Sequence, residues 1–140
     1  CIRDRSNILN VSSLLSNQVT PYKALYTATK TFVINLSVSL AYELKEDRII
    51  VSTLLPGATP TNKVVTDQIE KGNYAARVSV MSPREVAEIA IDKSLKGKII
   101  ITTGTKNGVI RRLLTALPDR VIAAIAVNQF KKKIRLEKEQ

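Results

Sequence analysis

The feature that most constrains the fold of this chain is a long helical segment between two short apolar runs. From Tyr22 to Lys45 apolar residues recur mostly at four-residue steps, with no glycine or proline, which predicts a long amphipathic helix. Its apolar residues are Leu25, Phe32, Leu36, Leu40 and Leu44. The runs Ile8–Val11 and Ile49–Leu55 flank it, and both end in polar or turn residues, as buried strands do. A strand, a helix and another strand predict a βαβ unit.

Similar signals divide the rest of the chain. Ala58–Lys63 is typical of a loop, and it precedes a short helix at Val64–Ile69 that we expect to end at Gly72. Ser82 begins another helix, because Pro83 suits the first helical position and Glu85 completes a capping box.

The last part of the chain predicts one more strand and two helices. The strand is Ile99–Ile101, and Gly104 and Gly108 mark the turn after it. The helices are Val109–Leu114 and Pro118–Ile134. Strands that alternate with helices predict a parallel sheet with right-handed crossovers and with its ligand site in the loops after the strands. Three strands are few for such a sheet, so we expect one edge to be uncovered.

Composition excludes several classes of function. The chain contains no histidine, which argues against a metal site and a Ser-His-Asp hydrolase, and its single cysteine, Cys1, cannot form an internal disulfide. Val121–Phe130 is far shorter than the roughly 20 residues of a membrane-spanning helix, so we expect a soluble, cytoplasmic protein. The chain does not begin with methionine, and we interpret its start as a cut.

The C-terminal segment is basic. From residue 111 onward there are eight Lys or Arg and three Asp or Glu, in a chain of net charge +10. We interpret residues 109–140 as a solvated helical extension. Nucleic-acid binding through Lys131–Lys133 and Arg135 is an alternative, but few aromatic residues are available for base stacking, so we expect no nucleic-acid partner. A second alternative, also not favoured, is contact with a membrane surface. Its apolar side would be Leu113, Leu114, Leu117, Val121, Ile122 and Ile125.

Tyr26 and Lys30 are separated by four residues and therefore share one helix face. The ammonium would favour the ionised form of the phenol, which makes Tyr26 a candidate general acid or base. Taken alone this pattern is weak, because it also describes a surface tyrosine beside a solvated lysine.

Three motifs together resemble the short-chain dehydrogenase/reductase family over nearly the whole chain. Asn10–Ser13 is similar to the strand-end motif that carries the family's catalytic serine, and Ser13 precedes Tyr26 by the usual 13 residues. Tyr26–Lys30 matches the Tyr-x-x-x-Lys signature. Pro56–Thr61 resembles the family's Pro-Gly-x-x-x-Thr cofactor segment. Their order and their predicted elements make the combination far more specific than any one motif.

The resemblance implies a Rossmann-like, doubly wound α/β fold of which residues 1–140 form the C-terminal part of a single domain. It also implies an NAD(P)-dependent oxidoreductase that interconverts a carbonyl and a secondary alcohol on a small molecule. The cofactor would be NAD or NADP, with NADP favoured. Members commonly pair through the helix that carries the tyrosine and lysine, so a homo-oligomer is expected.

The resemblance also assigns roles to residues. Tyr26 would exchange a proton with the substrate oxygen, Ser13 would hydrogen-bond that oxygen, and Lys30 would favour the phenolate and bind the nicotinamide ribose. The cofactor-binding residues would be Tyr26, Lys30, Pro56, Gly57, Thr59 and Thr61. Pro60 departs from the pattern, because it stiffens the loop and removes a backbone donor. We interpret Ser12 only as a loop hydroxyl.

One part of the family's pattern has no counterpart in this chain. A glycine-rich turn after the first strand normally receives the cofactor pyrophosphate, and Gly104–Gly108 has the wrong spacing and position for it. We therefore expect the 140 residues alone to be inactive or nearly so. The alternative hypothesis is a non-catalytic binding or regulatory protein that kept the fold.

Overall fold

A computed structural model of the chain describes residues 6–16, 18–70 and 80–138. These residues form, in order, β1 Ser6–Val11, α1 Ala24–Glu43, β2 Ile49–Leu55, α2 Lys63–Glu70, α3 Pro83–Leu95, β3 Ile100–Thr102, α4 Thr105–Ala116 and α5 Asp119–Lys138. The predicted alternation of strands and helices is confirmed. Gly72, the expected end of α2, lies outside the described residues.

The three strands form a parallel sheet in the order β1-β2-β3. The central strand β2 is buried from Val51 to Leu55, as its continuous apolar run predicts. The other edge of β1 pairs with no strand of the described residues, and Ile8 and Val11 are correspondingly exposed by 39% and 53%. The expected uncovered edge is therefore present at β1, and within the described residues the outer edge of β3 is unpaired as well.

Helices α1 and α3 cover opposite faces of this sheet. Asn10 donates to Ser37 of α1 (3.0 Å), whereas Asn7, three residues earlier and hence on the other face, accepts from Ser94 of α3 (2.8 Å). The connection from β1 to β2 through α1 and the connection from β2 to β3 through α3 both move one strand in the same direction across the parallel sheet. Because their helices lie on opposite faces, the two crossovers have opposite hand. The expectation of right-handed crossovers throughout is wrong. The right-handed preference concerns a helix fed directly by its strand, and 27 residues separate β2 from α3.

Helix α1 buries one isoleucine and two small polar side chains instead of its leucines. Its buried residues are Thr27, Ile34 and Ser37, while Leu25 is 80% and Phe32 63% exposed. Small residues allow the helix backbone to approach the sheet closely, where Asn10 and Ser37 are hydrogen-bonded. The apolar stripe of the sequence is thus not the core-facing side of α1 in this chain.

Helix α3 begins at the predicted capping box. The Ser82 hydroxyl accepts from the Glu85 N–H (3.3 Å), and the Glu85 carboxylate accepts from the Ser82 N–H (3.0 Å) and hydroxyl (2.7 Å). These hydrogen bonds to Ser82 lower the pKa of Glu85. Val86 and Ala90 complete a small core with Leu54 of β2 and Ile101 of β3. The first half of α3 therefore packs on the sheet through the side that carries Val86 and Ala90.

The C-terminal helices are confirmed, but α4 begins before the predicted turn has ended. Gly104 is its N-cap at φ 78°, a backbone conformation that favours glycine, and Gly108 lies inside the helix. Glycine inside a helix costs up to about 1 kcal/mol. The buried Asn107 side chain donates to the Thr103 carbonyl (2.7 Å) and so reinforces the helix start. Over the described ranges, no helix is both long and apolar enough to span a membrane.

Candidate active site

The carboxyl ends of β1 and β2 bring two of the sequence motifs together. The Ser12 N–H donates to the Leu54 carbonyl (2.8 Å), and the Leu14 N–H donates to the Pro56 carbonyl (3.0 Å). Two backbone bonds therefore hold the serine loop against the start of the Pro56–Thr61 segment. Ser13 lies between these two attachment points.

Ser13 is buried, with 8% of its surface exposed. Its hydroxyl oxygen accepts a hydrogen bond from the Leu15 N–H (3.2 Å), and its carbonyl accepts one from the Ser16 hydroxyl. The first bond uses the Ser13 oxygen only as an acceptor, so its hydrogen can still be donated. The turn thus holds a hydroxyl donor at the end of β1.

Lys30 reaches from α1 to the same end of the sheet. Its ammonium donates to the Val11 carbonyl, the last of β1, at 3.0 Å, and the side chain is half-buried. The Ser12 hydroxyl donates to the Lys30 carbonyl at 2.7 Å. Helix and loop are therefore tied together on both the side-chain and the backbone side of Lys30.

Ser12 makes a contact with α1 that the sequence did not indicate. It is 3% exposed, and its hydroxyl lies 3.3 Å from that of Ser16 as well as contacting Lys30. A serine before a known motif serine resembles any loop hydroxyl, so no signal within this one sequence distinguishes the two.

Tyr26 is 44% exposed and lines an open cleft of about 400 Å³. The cleft is lined by Leu15, Tyr22, Lys23, Ala24, Leu25 and Tyr26. It therefore extends from the serine loop over the first turn of α1. The motifs do not include Leu15, Tyr22 and Lys23, whose one signal in the sequence is proximity to Ser13 and Tyr26.

The segment after β2 presents polar groups beside the serine loop. The Thr59 hydroxyl donates to the Gly57 carbonyl (3.2 Å), and the Ala58 carbonyl accepts from the Met81 N–H (3.1 Å), so the loop is internally braced. Thr61 is exposed two residues before α2. Together with the Lys30 ammonium, this loop offers a hydroxyl and backbone groups of the kind that an amide and a ribose require.

A parallel α/β sheet with a serine loop, a Tyr-x-x-x-Lys helix and a proline-glycine loop at its carboxyl edge defines a class of nucleotide-dependent oxidoreductases. The model of the short chain dehydrogenase family matches residues 2–72, half of the chain. The chain belongs to this family. Its fold is accordingly part of a Rossmann-like, doubly wound sheet.

Individual relatives agree with the family assignment. A 7β-hydroxysteroid dehydrogenase of Mediterraneibacter gnavus is 25% identical over 107 residues, which are 75% of this chain and 40% of that protein. A short chain dehydrogenase of Burkholderia cenocepacia, solved in complex with NADP, superposes with a TM-score of 0.65 at 20% identity. A bulky-bulky ketone specific alcohol dehydrogenase of Comamonas testosteroni superposes at 0.52 and 23% identity.

These superpositions include most of this chain but less than half of each solved structure. The Burkholderia match covers 89% of this chain and 49% of the other, and the Comamonas match covers 80% and 43%. The chain therefore spans less than half the length of these relatives.

Proposed function

We propose that these residues are the catalytic, C-terminal part of a single Rossmann-like domain in an NAD(P)-dependent oxidoreductase that interconverts a carbonyl and a secondary alcohol. The carrying observation is the geometry around Lys30. The Lys30 ammonium is hydrogen-bonded to the carbonyl of Val11, the last residue of β1. Lys30 lies one helical turn after Tyr26, and Tyr26 lines an open cleft. This hydrogen bond holds the Lys30 ammonium at the carboxyl edge of the sheet, whereas the ammonium of a solvated surface lysine would have no such partner.

In this mechanism Tyr26 gives its proton to the carbonyl oxygen of the substrate, or takes a proton from an alcohol in the reverse direction. Ser13 donates its remaining hydroxyl hydrogen to the same oxygen and fixes its position. Lys30, one helical turn after Tyr26, would bind the nicotinamide ribose. A bound nicotinamide cofactor supplies or accepts the hydride.

The cofactor would be held by Tyr26, Lys30, Pro56, Gly57, Thr59 and Thr61. The solved relative with NADP supports a nicotinamide dinucleotide, and we favour NADP over NAD. The chain has no glycine-rich turn for the pyrophosphate, so the 140 residues alone are expected to lack turnover.

The exposed face of α1 supports association of two copies. Phe32 is 63% and Leu36 42% exposed, and they are one helical turn apart. Neither is used by the core of the described residues. We include in the proposal a homo-oligomer that pairs through this helix.

The non-catalytic alternative is separated from this proposal by two measurements on the full-length protein that contains the chain. The first is titration with NADPH and NADH by nicotinamide fluorescence, and the second is turnover with a panel of ketones and secondary alcohols. We expect Lys30→Met to weaken both cofactor binding and turnover. Lys45→Met is the control, because Lys45 lies beyond the far end of α1, and it should weaken neither. Failure of the full-length protein to bind either cofactor would establish the non-catalytic alternative instead.

A further inference from the structure

The C-terminal helix reaches the rim of the cleft beside Tyr26. The rings of Phe130 in α5 and Tyr22 have centroids 5.5 Å apart at 42°, and the Lys23 ammonium lies 5.8 Å from the Phe130 centroid. Both distances are within the range of aromatic and cation–π contacts. Phe130 therefore contacts two of the six residues that line the cleft.

Most of the cleft surface is apolar and accessible. Leu15, Tyr22 and Leu25 are 40%, 62% and 80% exposed. Leaving three large apolar side chains in water is unfavourable, so a ligand that covers them gains binding free energy. A volume of about 400 Å³ is within the usual range for drug-sized ligands, whereas a small ketone would leave most of it filled with water.

The charge of the cleft has one sign. Lys23 is the single charged residue of the six that line it. The first turn of α1 contains no acidic residue, and its N-cap, Lys23 itself, makes no side-chain cap hydrogen bond. The positive end of the helix dipole therefore adds to the lysine charge and is not neutralised locally.

From these features we propose that the substrate is a carbonyl or alcohol compound with a bulky apolar body and an anionic group. The apolar body lies on Leu15, Tyr22 and Leu25, and Lys23 binds the anionic group, which is a carboxylate or a phosphate. Phe130 is a positioning residue that holds Tyr22 and Lys23 in place from α5. This inference rests on the proposed oxidoreductase function.

The charge component is tested with a pair of substrates on the full-length protein. The pair is a ketone with a large apolar body that ends in a carboxylate and its uncharged methyl ester. Lys23→Met is expected to lower kcat/KM for the carboxylate by about fivefold and to leave the ester within twofold, as for an exposed ion pair. Lys45→Met, a matched loss of charge at the other end of α1, should change neither. Equal effects of Lys23→Met on both substrates would overturn the anionic assignment.

The positioning role is tested with Phe130→Ala. Loss of the aromatic contact should raise KM for the large substrate by about two- to tenfold while kcat, and KM for a small ketone, stay within twofold. A general structural defect would lower kcat with both substrates, which would refute a positioning role. Absence of turnover with every substrate in the wild-type protein would refute the oxidoreductase function itself. Turnover without any preference for the large, charged substrate would refute only this inference.

Discussion

Replacing Tyr26 by phenylalanine removes one hydroxyl group and keeps the aromatic ring in the cleft. Tyr26 is 44% exposed and lines an open surface, so the change deletes no buried polar group. Substitutions at such positions usually alter the free energy of unfolding by no more than about 0.5 kcal/mol. The variant should therefore fold like the wild-type protein, and it should still bind the cofactor through Lys30 and the Pro56–Thr61 segment, with at most the loss of one contact from the Tyr26 hydroxyl.

The catalytic effect of the same change should be large. A positioned general acid or base contributes about 10²- to 10⁴-fold to the rate. At about 1.4 kcal/mol per decade this is roughly 3 to 5 kcal/mol of transition-state stabilisation. Because the ring remains in the cleft, the loss should fall on kcat and on kcat/KM equally, with KM nearly unchanged.

The assay is nicotinamide absorbance at saturating cofactor on the full-length protein, with cofactor binding measured in parallel by fluorescence. Tyr42→Phe is a matched control, because Tyr42 lies near the other end of α1 and is 69% exposed. It should retain wild-type activity. A Tyr26→Phe variant that binds cofactor and keeps kcat within threefold of wild type would refute the role of Tyr26 as the proton donor.

Four further predictions concern the fold and the assembly. Ser12→Ala should lower the free energy of unfolding by about 1 to 3 kcal/mol in a denaturant titration, because its buried hydroxyl makes two contacts, whereas the exposed Ser39→Ala should change it by less than about 0.5 kcal/mol. Ser82→Ala should cost about 1 kcal/mol through loss of the helix cap. Folding lowers the pKa of Glu85, so the ionised carboxylate stabilises the folded protein above pH 4.5, and this stabilisation is lost as the pH falls through the folded pKa. Glu85→Gln should reduce this dependence of the free energy of unfolding on acid pH. An unchanged pH profile would contradict the prediction. Phe32→Lys should shift the full-length protein towards monomers in sedimentation velocity, and an unchanged species would argue against pairing through α1.

Much of the local structure could be predicted because its determinants lie within a few residues of one another. The capping box joins Ser82 to Glu85, and the apolar run Ile49–Leu55 defines a strand covered on both faces. The motif order likewise places Ser13 and Pro56 after parallel strands, whose carboxyl ends meet at one edge. Periodicity and turn chemistry are short-range properties, and these predictions needed nothing else.

The buried face of α1, the hand of the crossovers and the partners of Lys30 were decided only by tertiary structure. The leucine stripe was compatible with either a core or a pairing surface, and the structure buries the face that carries Thr27, Ile34 and Ser37 instead. The Lys30 ammonium is held by the carbonyl of Val11, 19 residues earlier in the chain. At the rim of the cleft, Tyr22 contacts Phe130, which lies more than a hundred residues later. The sequence alone determined which residues are candidates for the chemistry and on which elements they lie. Their fixed geometry came from contacts between elements distant in the chain, because no local pattern encodes which surfaces meet when those elements pack.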